Sequence, residues 1–171
     1  MKVHSQNEKS SASKKVEESH VEMTEMVLPQ HTNVCGNVFG GVLLSWIDIA
    51  AAICAQRHSG NVVVTASIDA MNFLAPIKLG SVISIKASVN FVARSSCEVG
   101  VKVVAENPLE RTFHHTASAY LTMVCLDMQG KPSPMPALLP VTEAEKRRYE
   151  AAKERRRHRL ELKERLLSQK S

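Results

Sequence analysis

Three features that would define a class of protein are missing from this sequence of 171 residues. No apolar run approaches the ~20 residues of a membrane-spanning helix, so we expect no integral membrane association. Residues 1–19 contain no hydrophobic stretch and carry glutamates, which argues against a secretory signal. The cysteines form no CxxC pair, and we expect reduced thiols in a cytoplasmic protein. They are Cys35, Cys54, Cys97 and Cys125.

The excess of positive charge is confined to one end of the chain, which has 22 Lys and Arg against 17 Asp and Glu. Residues 141–171 carry eleven basic and six acidic groups, a net +5. Residues 26–140 carry seven and six, a net +1. Since the middle of the chain shows no basic groove, we expect no nucleic-acid partner.

The composition divides the chain into three segments. Residues 1–19 are rich in Ser, Lys and Glu without periodicity and are predicted to be disordered. Residues 20–140 have the apolar patterning of one folded domain. Residues 141–171 form a charged C-terminal segment, with a helix predicted over 142–167. Its interspersed charges are typical of a solvated helix that the core does not need, and contact with a membrane surface or RNA is the alternative.

The domain combines one buried helix with a sheet. Residues 40–58 predict a helix that is apolar on nearly every side, as in a helix surrounded by protein. Strands are predicted over residues 20–28, 62–73, 81–93, 97–105 and 112–126. Short turns join the last three, which makes them antiparallel neighbours. We therefore predict an α+β fold in which one curved antiparallel sheet wraps around one long central helix.

Two strands alternate cleanly between apolar and polar positions. In the strand over 81–93 the predicted inward-facing residues are Ile83, Ile85, Ala87, Val89 and Phe91. In the strand over 97–105, Glu98 and Lys102 fall on the polar face. This period of two is typical of strands with one face on a core.

Asp48 is the only charged side chain between Gly40 and Gln56. A carboxylate in an apolar helix is costly to desolvate unless it is paired or hydrogen-bonded. The functional interpretation is a general base or a nucleophile at the rim of a pocket. The alternative is a carboxylate held by backbone donors of a neighbouring loop, without chemistry.

The start of this helix is the second candidate feature. Gly40 and Gly41 leave the first N–H groups accessible, and the positive end of the helix dipole suits a developing oxyanion. Asn33 or Asn37 could add an amide donor. The alternative is that Asn and Gly serve only the loop conformation.

Other groupings carry weaker signals. The turn Arg94-Ser95-Ser96 could hold a phosphate through one guanidinium and two hydroxyls, or it could be a solvated turn. Cys54 and His58 lie one helical turn apart, but a core cysteine below a helix-end histidine is the commoner arrangement. His114 and His115 are adjacent on a strand and cannot chelate one metal ion, and no serine lies in a GxSxG elbow.

Together these residues resemble the hot-dog-fold acyl-CoA thioesterases of the cytosolic acyl-CoA hydrolase type. The pattern N-x-x-G-x-x-x-G-G-x-x-L-x-x-x-D runs from Asn33 to Asp48. Further runs that resemble the same family are Val64–Asp69, Met71–Phe73, Arg94–Ser96 and Pro140–Glu145. The resemblance covers about residues 20–165.

The resemblance implies a hot-dog fold in which Asp48 is the catalytic acidic residue and Asn33 its partner. In that family the two groups face each other across a dimer interface, so each site would use Asn33 of one chain and Asp48 of the other. The resemblance also implies a homodimer that assembles into a hexamer. The family's coenzyme A contacts fall on Ala66, Ser67, Ile68, Ser95, Ser96 and Cys97, and Arg94 is typical of bacterial members.

The implied reaction is hydrolysis of an acyl-CoA to a free fatty acid and coenzyme A. N–H groups near Gly40 and Gly41, with the Asn33 amide, would stabilise the oxyanion. Asp48 would activate water or attack to form an anhydride. No metal or redox cofactor is required, and coenzyme A is part of the substrate and product rather than a cofactor. The alternative is a non-catalytic acyl-CoA-binding regulator on the same fold.

Overall fold

Residues 13–169, which the computed structural model describes, contain seven β-strands and two α-helices. The strands are β1 (Lys14–Lys15), β2 (Val21–Met26), β3 (Val62–Phe73), β4 (Val82–Val92), β5 (Ser96–Asn107), β6 (Thr112–Leu126) and β7 (Leu138–Leu139). The helices are α1 (Gly40–Ser59) and α2 (Glu143–Ser168), and short 3-10 turns cover Val16–Ser19 and Pro29–His31.

Five strands form one antiparallel sheet in the order β2-β4-β5-β6-β3. Helix α1 packs against its inner face and contacts all five strands. The predicted combination of one antiparallel sheet with one long helix, with β4, β5 and β6 as neighbours, is confirmed. The largest fully buried side chains of this core include Leu43, Ile47, Ile83, Ile85, Val99, Val103, Leu121 and Met123.

Helix α1 buries only one of its sides within a single chain. It ends at Ser59, and the next residue, Gly60, is left-handed (φ 70°) and donates its N–H to the carbonyl of Gln56 at 2.8 Å. Ile47 is fully buried against the sheet, whereas Ile49 is 48% exposed on the other side. The prediction of a helix surrounded by protein is therefore wrong for one chain, because the sheet covers one side only.

The segment that precedes the main sheet differs from its prediction. Lys14 and Lys15 pair in parallel with Leu138 and Leu139 of β7. Val16 is 2% exposed, because the following 3-10 turn packs against α1 and β4. The prediction of disorder is therefore wrong for residues 14–19, whereas residues 1–12 lie outside the described range.

A bulge in β4 reverses the face of one predicted core residue. The inward positions up to Val89 are confirmed, but the register with β5 shifts between Val89 and Phe91. The extra residue turns Phe91 to the outer face, where its ring lies 5.2 Å from that of Tyr149 on α2. The prediction that Phe91 faces inward is wrong for this reason.

Helix α2 lies on the outer face of the sheet. Its start is fixed by a capping box, in which Thr142 Oγ1 accepts from the Glu145 N–H and the Glu145 carboxylate accepts from the Thr142 N–H. Ala152 is fully buried, and Arg155 forms an ion pair with Glu98, whose side chain is 3% exposed. The prediction of a fully solvated helix is therefore wrong, although its exposed side does carry ion pairs within the helix.

Candidate active site

The first turn of α1 presents backbone donors. Phe39 precedes the helix in an extended conformation, and its carbonyl accepts the N–H groups of Val42 and Leu43 at 2.9 and 3.2 Å. The N–H groups of Gly40 and Gly41 donate no hydrogen bond within residues 13–169. These two donors lie at the positive end of the helix dipole and are free to bind an oxygen.

Both glycines lie close against aromatic rings at the helix start. A Cβ on Gly40 would lie 3.2 Å from the ring of Phe73, and a Cβ on Gly41 would lie 2.7 Å from the ring of Phe39. The two rings are 57% and 58% exposed for Phe39 and Phe73, so they form apolar walls beside the free N–H groups. An apolar group attached to a carbonyl could contact these walls.

Asn33 lies in the loop before α1 and is exposed. Its Oδ1 accepts the backbone N–H groups of Cys35 and Asn37 at 2.9 and 3.3 Å. The carbonyl oxygen therefore serves the local turn, as in the structural alternative for this residue. The Nδ2 group donates no hydrogen bond within the described part of the chain, so it remains available as a donor.

Asp48 is half-buried on α1 and is held by a side chain from the sheet. The hydroxyl of Thr65 on β3 donates to its Oδ1 at 2.6 Å. The donor is thus a neighbouring strand's hydroxyl and not the backbone of a loop. The Oδ2 atom of Asp48 has no hydrogen-bond partner among residues 13–169, which leaves one carboxylate oxygen free to accept from a water molecule.

Thr65 is a site residue that no local sequence pattern identifies. It shares the period of two with Val63, which is buried on the inner face, and this pattern alone would have placed it opposite α1. A threonine is ordinary in a strand, however, so only the position of Asp48 on the facing helix gives it significance.

Asn33 and Asp48 share no hydrogen bond and no common partner in the described chain. The structure therefore does not bring the two predicted catalytic side chains together within one chain through direct contacts. Asp48 is eight residues after Gly40, a rise of about 12 Å along the helix.

The residues predicted to contact coenzyme A lie at one end of the sheet. Ser96 on β5 and Val64 on β3 both pair with Val124 of β6. The turn at Arg94 and the segment after Val64 are therefore two strand spacings apart, about 10 Å. Ala66 and Ile68 are exposed on the edge strand, and Arg94 is exposed without an ion pair among the described residues.

Three of these predicted contact residues have groups that are already hydrogen-bonded or buried. The Ser67 hydroxyl donates to Asp69 Oδ1 at 2.6 Å. The backbone carbonyl of Ser95 accepts the N–H of Cys125 at 2.9 Å. The Cys97 side chain is 2% exposed in the core, and burial raises the pKa of its thiol, so Cys97 could contact a ligand only through its backbone.

Cys54 and His58 do not form a reactive pair. Both are fully buried in the core. Burial raises the pKa of the Cys54 thiol to about 12 and lowers the pKa of the His58 imidazole, so both groups are neutral at pH 7. The structural interpretation of this pair is thereby supported.

Metal and membrane features are absent from the described range. Within residues 13–169, no group of three or more His, Cys, Asp and Glu side chains could hold a metal ion. His115 instead contacts the hydroxyl of Ser118 at 2.8 Å. Neither helix in the same range is long and apolar enough to cross a membrane.

One long helix lies on the inner face of a five-stranded antiparallel sheet. It has free N–H groups at its start and a carboxylate two turns further on. This is the arrangement of a hot-dog thioesterase. Residues 35–112 match the family described as the thioesterase superfamily. Protein VdlD of Helicobacter pylori is 42% identical over 78% of this chain and 76% of its own length. YkhA of Bacillus subtilis, named an uncharacterized acyl-CoA thioester hydrolase, is 42% identical over 75% and 74%. The chain belongs to the thioesterase superfamily, and the predicted hot-dog fold and thioesterase class are confirmed.

Solved structures agree with this assignment. A hexameric acyl-CoA thioesterase, solved in its apo form, superposes with a TM-score of 0.86 at 41% identity, over 88% of this chain and 96% of that one. An acyl-CoA hydrolase of Staphylococcus aureus, solved with butyryl coenzyme A, coenzyme A and coenzyme A disulfide, has a TM-score of 0.83 at 36% identity over 93% and 99%. Variants of that enzyme with one asparagine, aspartate or threonine changed to alanine have also been solved.

Proposed function

We propose that this chain hydrolyses acyl-CoA thioesters to a free fatty acid and coenzyme A. The observation that carries the proposal is the Asp48 carboxylate, held through one oxygen by Thr65 at 2.6 Å while the other oxygen is free. Relatives named acyl-CoA thioester hydrolases supply the substrate class. The three residue types substituted in the S. aureus enzyme are those of Asn33, Asp48 and Thr65.

In the proposed mechanism the thioester carbonyl oxygen binds the N–H groups of Gly40 and Gly41, with the Asn33 Nδ2 as a further donor. These donors favour the tetrahedral oxyanion over the planar ground state. Asp48 accepts a proton from an attacking water, or attacks directly to form an anhydride that water then hydrolyses. The thiolate of coenzyme A leaves without a strong acid, and the reaction uses no cofactor.

We assign coenzyme A to the end of the sheet where Arg94 and the exposed segment of β3 lie. The Arg94 guanidinium suits a phosphate group. Ser95 and Ser96 add hydroxyls beside it, and Ala66 and Ile68 offer an exposed edge for the pantetheine arm. Ser67 and Cys97 contribute backbone groups in this assignment, because their side chains are engaged or buried.

We infer that the active unit is a homodimer within a hexamer, with each site formed by Asn33 of one chain and Asp48 of another. Two exposed features support this inference. Strand β3 is at the edge of the sheet, where Val62 and Val64 are 61% and 43% exposed. Ile49 on α1 lies beside Asp48 and is 48% exposed. A structural neighbour is itself hexameric.

A cytosolic location is part of the proposal. The mouse cytosolic acyl coenzyme A thioester hydrolase is 40% identical over 80% of this chain, although the match spans only 36% of that longer protein. Free thiols, which the four cysteines form here, are typical of that compartment.

The test is a thiol-release assay on a series of acyl-CoA chain lengths with wild-type protein and Asp48→Asn. Asparagine keeps the side-chain shape and removes the base, so we expect kcat to fall on the order of 10²-fold or more. Asp127→Asn is the matched control, since Asp127 only accepts backbone N–H groups in a turn. Binding of acyl-CoA without release by the wild type would favour the regulator alternative, and full activity of a folded Asp48→Asn variant would remove Asp48 from the mechanism.

A further inference from the structure

Strand β3 departs from regular pairing twice within a few residues. Its register with β6 shifts between Thr65 and Ser67 and again between Ile68 and Ala70. Each bulge interrupts the ladder of hydrogen bonds and changes where side chains point. Within the described chain β6 is the only neighbour of β3 in the sheet. Contacts outside the ladder are therefore needed to hold this bulged segment, residues 65–70, in one conformation.

Asp69, the extra residue of the second bulge, provides such contacts on the outer face. Its Oδ1 accepts from the Ser67 hydroxyl at 2.6 Å. Its Oδ2 accepts from the Thr122 hydroxyl on β6 at 3.2 Å and from the guanidinium of Arg159 on α2. The side chains of Asp69 and Arg159 are only 11% and 26% exposed. The Asp69 carboxylate thus links β3 to β6 through a hydrogen bond and to α2 through an ion pair. Because both side chains of the ion pair are mostly buried, solvent screens it weakly.

The position of Arg159 is itself fixed by the helix that carries it. One turn earlier, Arg155 donates to both oxygens of Glu98 at 3.0 and 2.7 Å. Glu98 pairs with Thr122 across β5 and β6, and Thr122 pairs with Ser67 across β6 and β3. Arg155 therefore contacts this row at Glu98, and Arg159 contacts Asp69, whose carboxylate accepts from Ser67 and Thr122 of the same row. This double attachment sets the height and rotation of α2 above the bulged segment.

The same bulged segment contacts the candidate active site on its inner side, where the Thr65 hydroxyl donates to Asp48 at 2.6 Å. We propose that Arg159 is a positioning residue for the hydrolysis: through Asp69 it holds the bulged segment of β3, and thereby the Thr65 hydroxyl that orients the Asp48 carboxylate. This inference rests on the proposed function. It makes the C-terminal helix part of the support of the active site.

The first experiment compares Arg159→Ala with Arg157→Ala. Arg157 lies on the same helix, and its described ion pairs are with Glu154 and Glu161 of that helix. At a temperature far below Tm we expect Arg159→Ala to lower kcat about 10-fold, because small displacements of catalytic groups are costly. Arg157→Ala should keep kcat within about two-fold, as surface pairs contribute little. Arg159→Lys, which keeps the charge, should recover part of the loss, and it replaces the alanine variant if that variant does not fold.

The second experiment tests whether Arg159 acts through Thr65. Thr65→Ala removes the hydroxyl, so adding Arg159→Ala should reduce kcat by less than about two-fold further. Losses that multiply, or an Arg159→Ala variant with lower Tm and unchanged kcat, would overturn the proposal. Equal losses for Arg157→Ala and Arg159→Ala would overturn it as well. A wild-type protein that hydrolyses no acyl-CoA would instead overturn the proposed function, and with it this inference.

Discussion

At the scale of single residues, His58 has an ionisation that affects stability. It is fully buried, and its Nε2–H donates to the Pro136 carbonyl at 2.9 Å. Its Nδ1 has no partner in the described chain, which fits a neutral ring. Burial is the largest cause of the lowered pKa of His58, and the charge of Lys14 acts in the same direction. The Pro136 hydrogen bond and the charge of Glu18 oppose them and do not reverse the shift.

The lowered pKa gives a prediction for stability at acid pH. In the unfolded chain His58 binds a proton near its usual pKa of 6.5, whereas the folded protein resists protonation. The contribution of the neutral His58 ring to the free energy of unfolding is therefore complete above pH 6.5. It decreases as the pH falls towards the folded pKa, by at most about 1.4 kcal/mol per pH unit. Denaturant unfolding from pH 7.5 to 5 should show this fall.

A His58→Gln variant is the matched control for that measurement. Glutamine can still donate to Pro136 but does not titrate. We expect the variant to be less stable at pH 7.5 and to lose less of its remaining stability on acidification. An identical pH dependence in both proteins would assign the effect to another group.

Asp48 and Thr65 show what single residues disclose from sequence. Asp48 is recognisable in the sequence because one charge among apolar helix residues needs an explanation in any fold. Thr65 is not, because its significance comes from a helix residue 17 positions earlier in the chain. Glu98 lies on the predicted polar face of β5, but α2 buries it. No local sequence pattern indicates this burial.

At the scale of elements, the alternation with a period of two and the flanking Gly and Pro turn residues predicted the bounds of β3 and β6 as the structure has them. The bulge at Phe91 was not predictable, because it depends on the register with β5. The docking of α2 was missed for a related reason. Arg155 and Arg159 look like their neighbours Arg156 and Arg157 in the sequence. Their partners lie 57 and 90 residues away.

Removal of residues 143–171 should therefore destabilise the domain. It deletes the buried Ala152, the contact of Tyr149 with Phe91, and the cations that pair with Glu98 and Asp69. We expect a loss of about 2 kcal/mol or more, measured as a lower Tm or denaturant midpoint.

A shorter truncation provides the comparison. A chain ending at Lys163 keeps Arg155 and Arg159 but loses Leu166 and Leu167, which are 53% and 57% exposed. We expect nearly wild-type stability for it. If both truncations unfold at the same midpoint as the full chain, α2 is not part of the folded domain's support.

At the scale of the whole molecule, the open side of α1 and the exposed edge of β3 are adjacent to the same site. Ile49 follows Asp48 directly, and Val64 precedes Thr65. In the proposed dimer, a second copy covers Ile49 on the open side of α1 and supplies its Asn33 to the site of Asp48. The exposed Ile49 and the unpaired edge of β3 both favour the proposed symmetric pair of chains.

The shared site can be tested by mixing two inactive proteins, Asn33→Ala and Asp48→Asn. If each site takes one residue from each chain, a mixed dimer has one site with both defects and one site with neither. Random pairing makes half of the dimers mixed, so activity should recover to about a quarter of the wild type, as two-fold symmetry requires. If both residues act within one chain, every site keeps a defect and mixing restores nothing. Differently tagged chains that co-purify show that subunits have exchanged, and exchange without recovered activity would refute the shared site even though each residue is essential on its own.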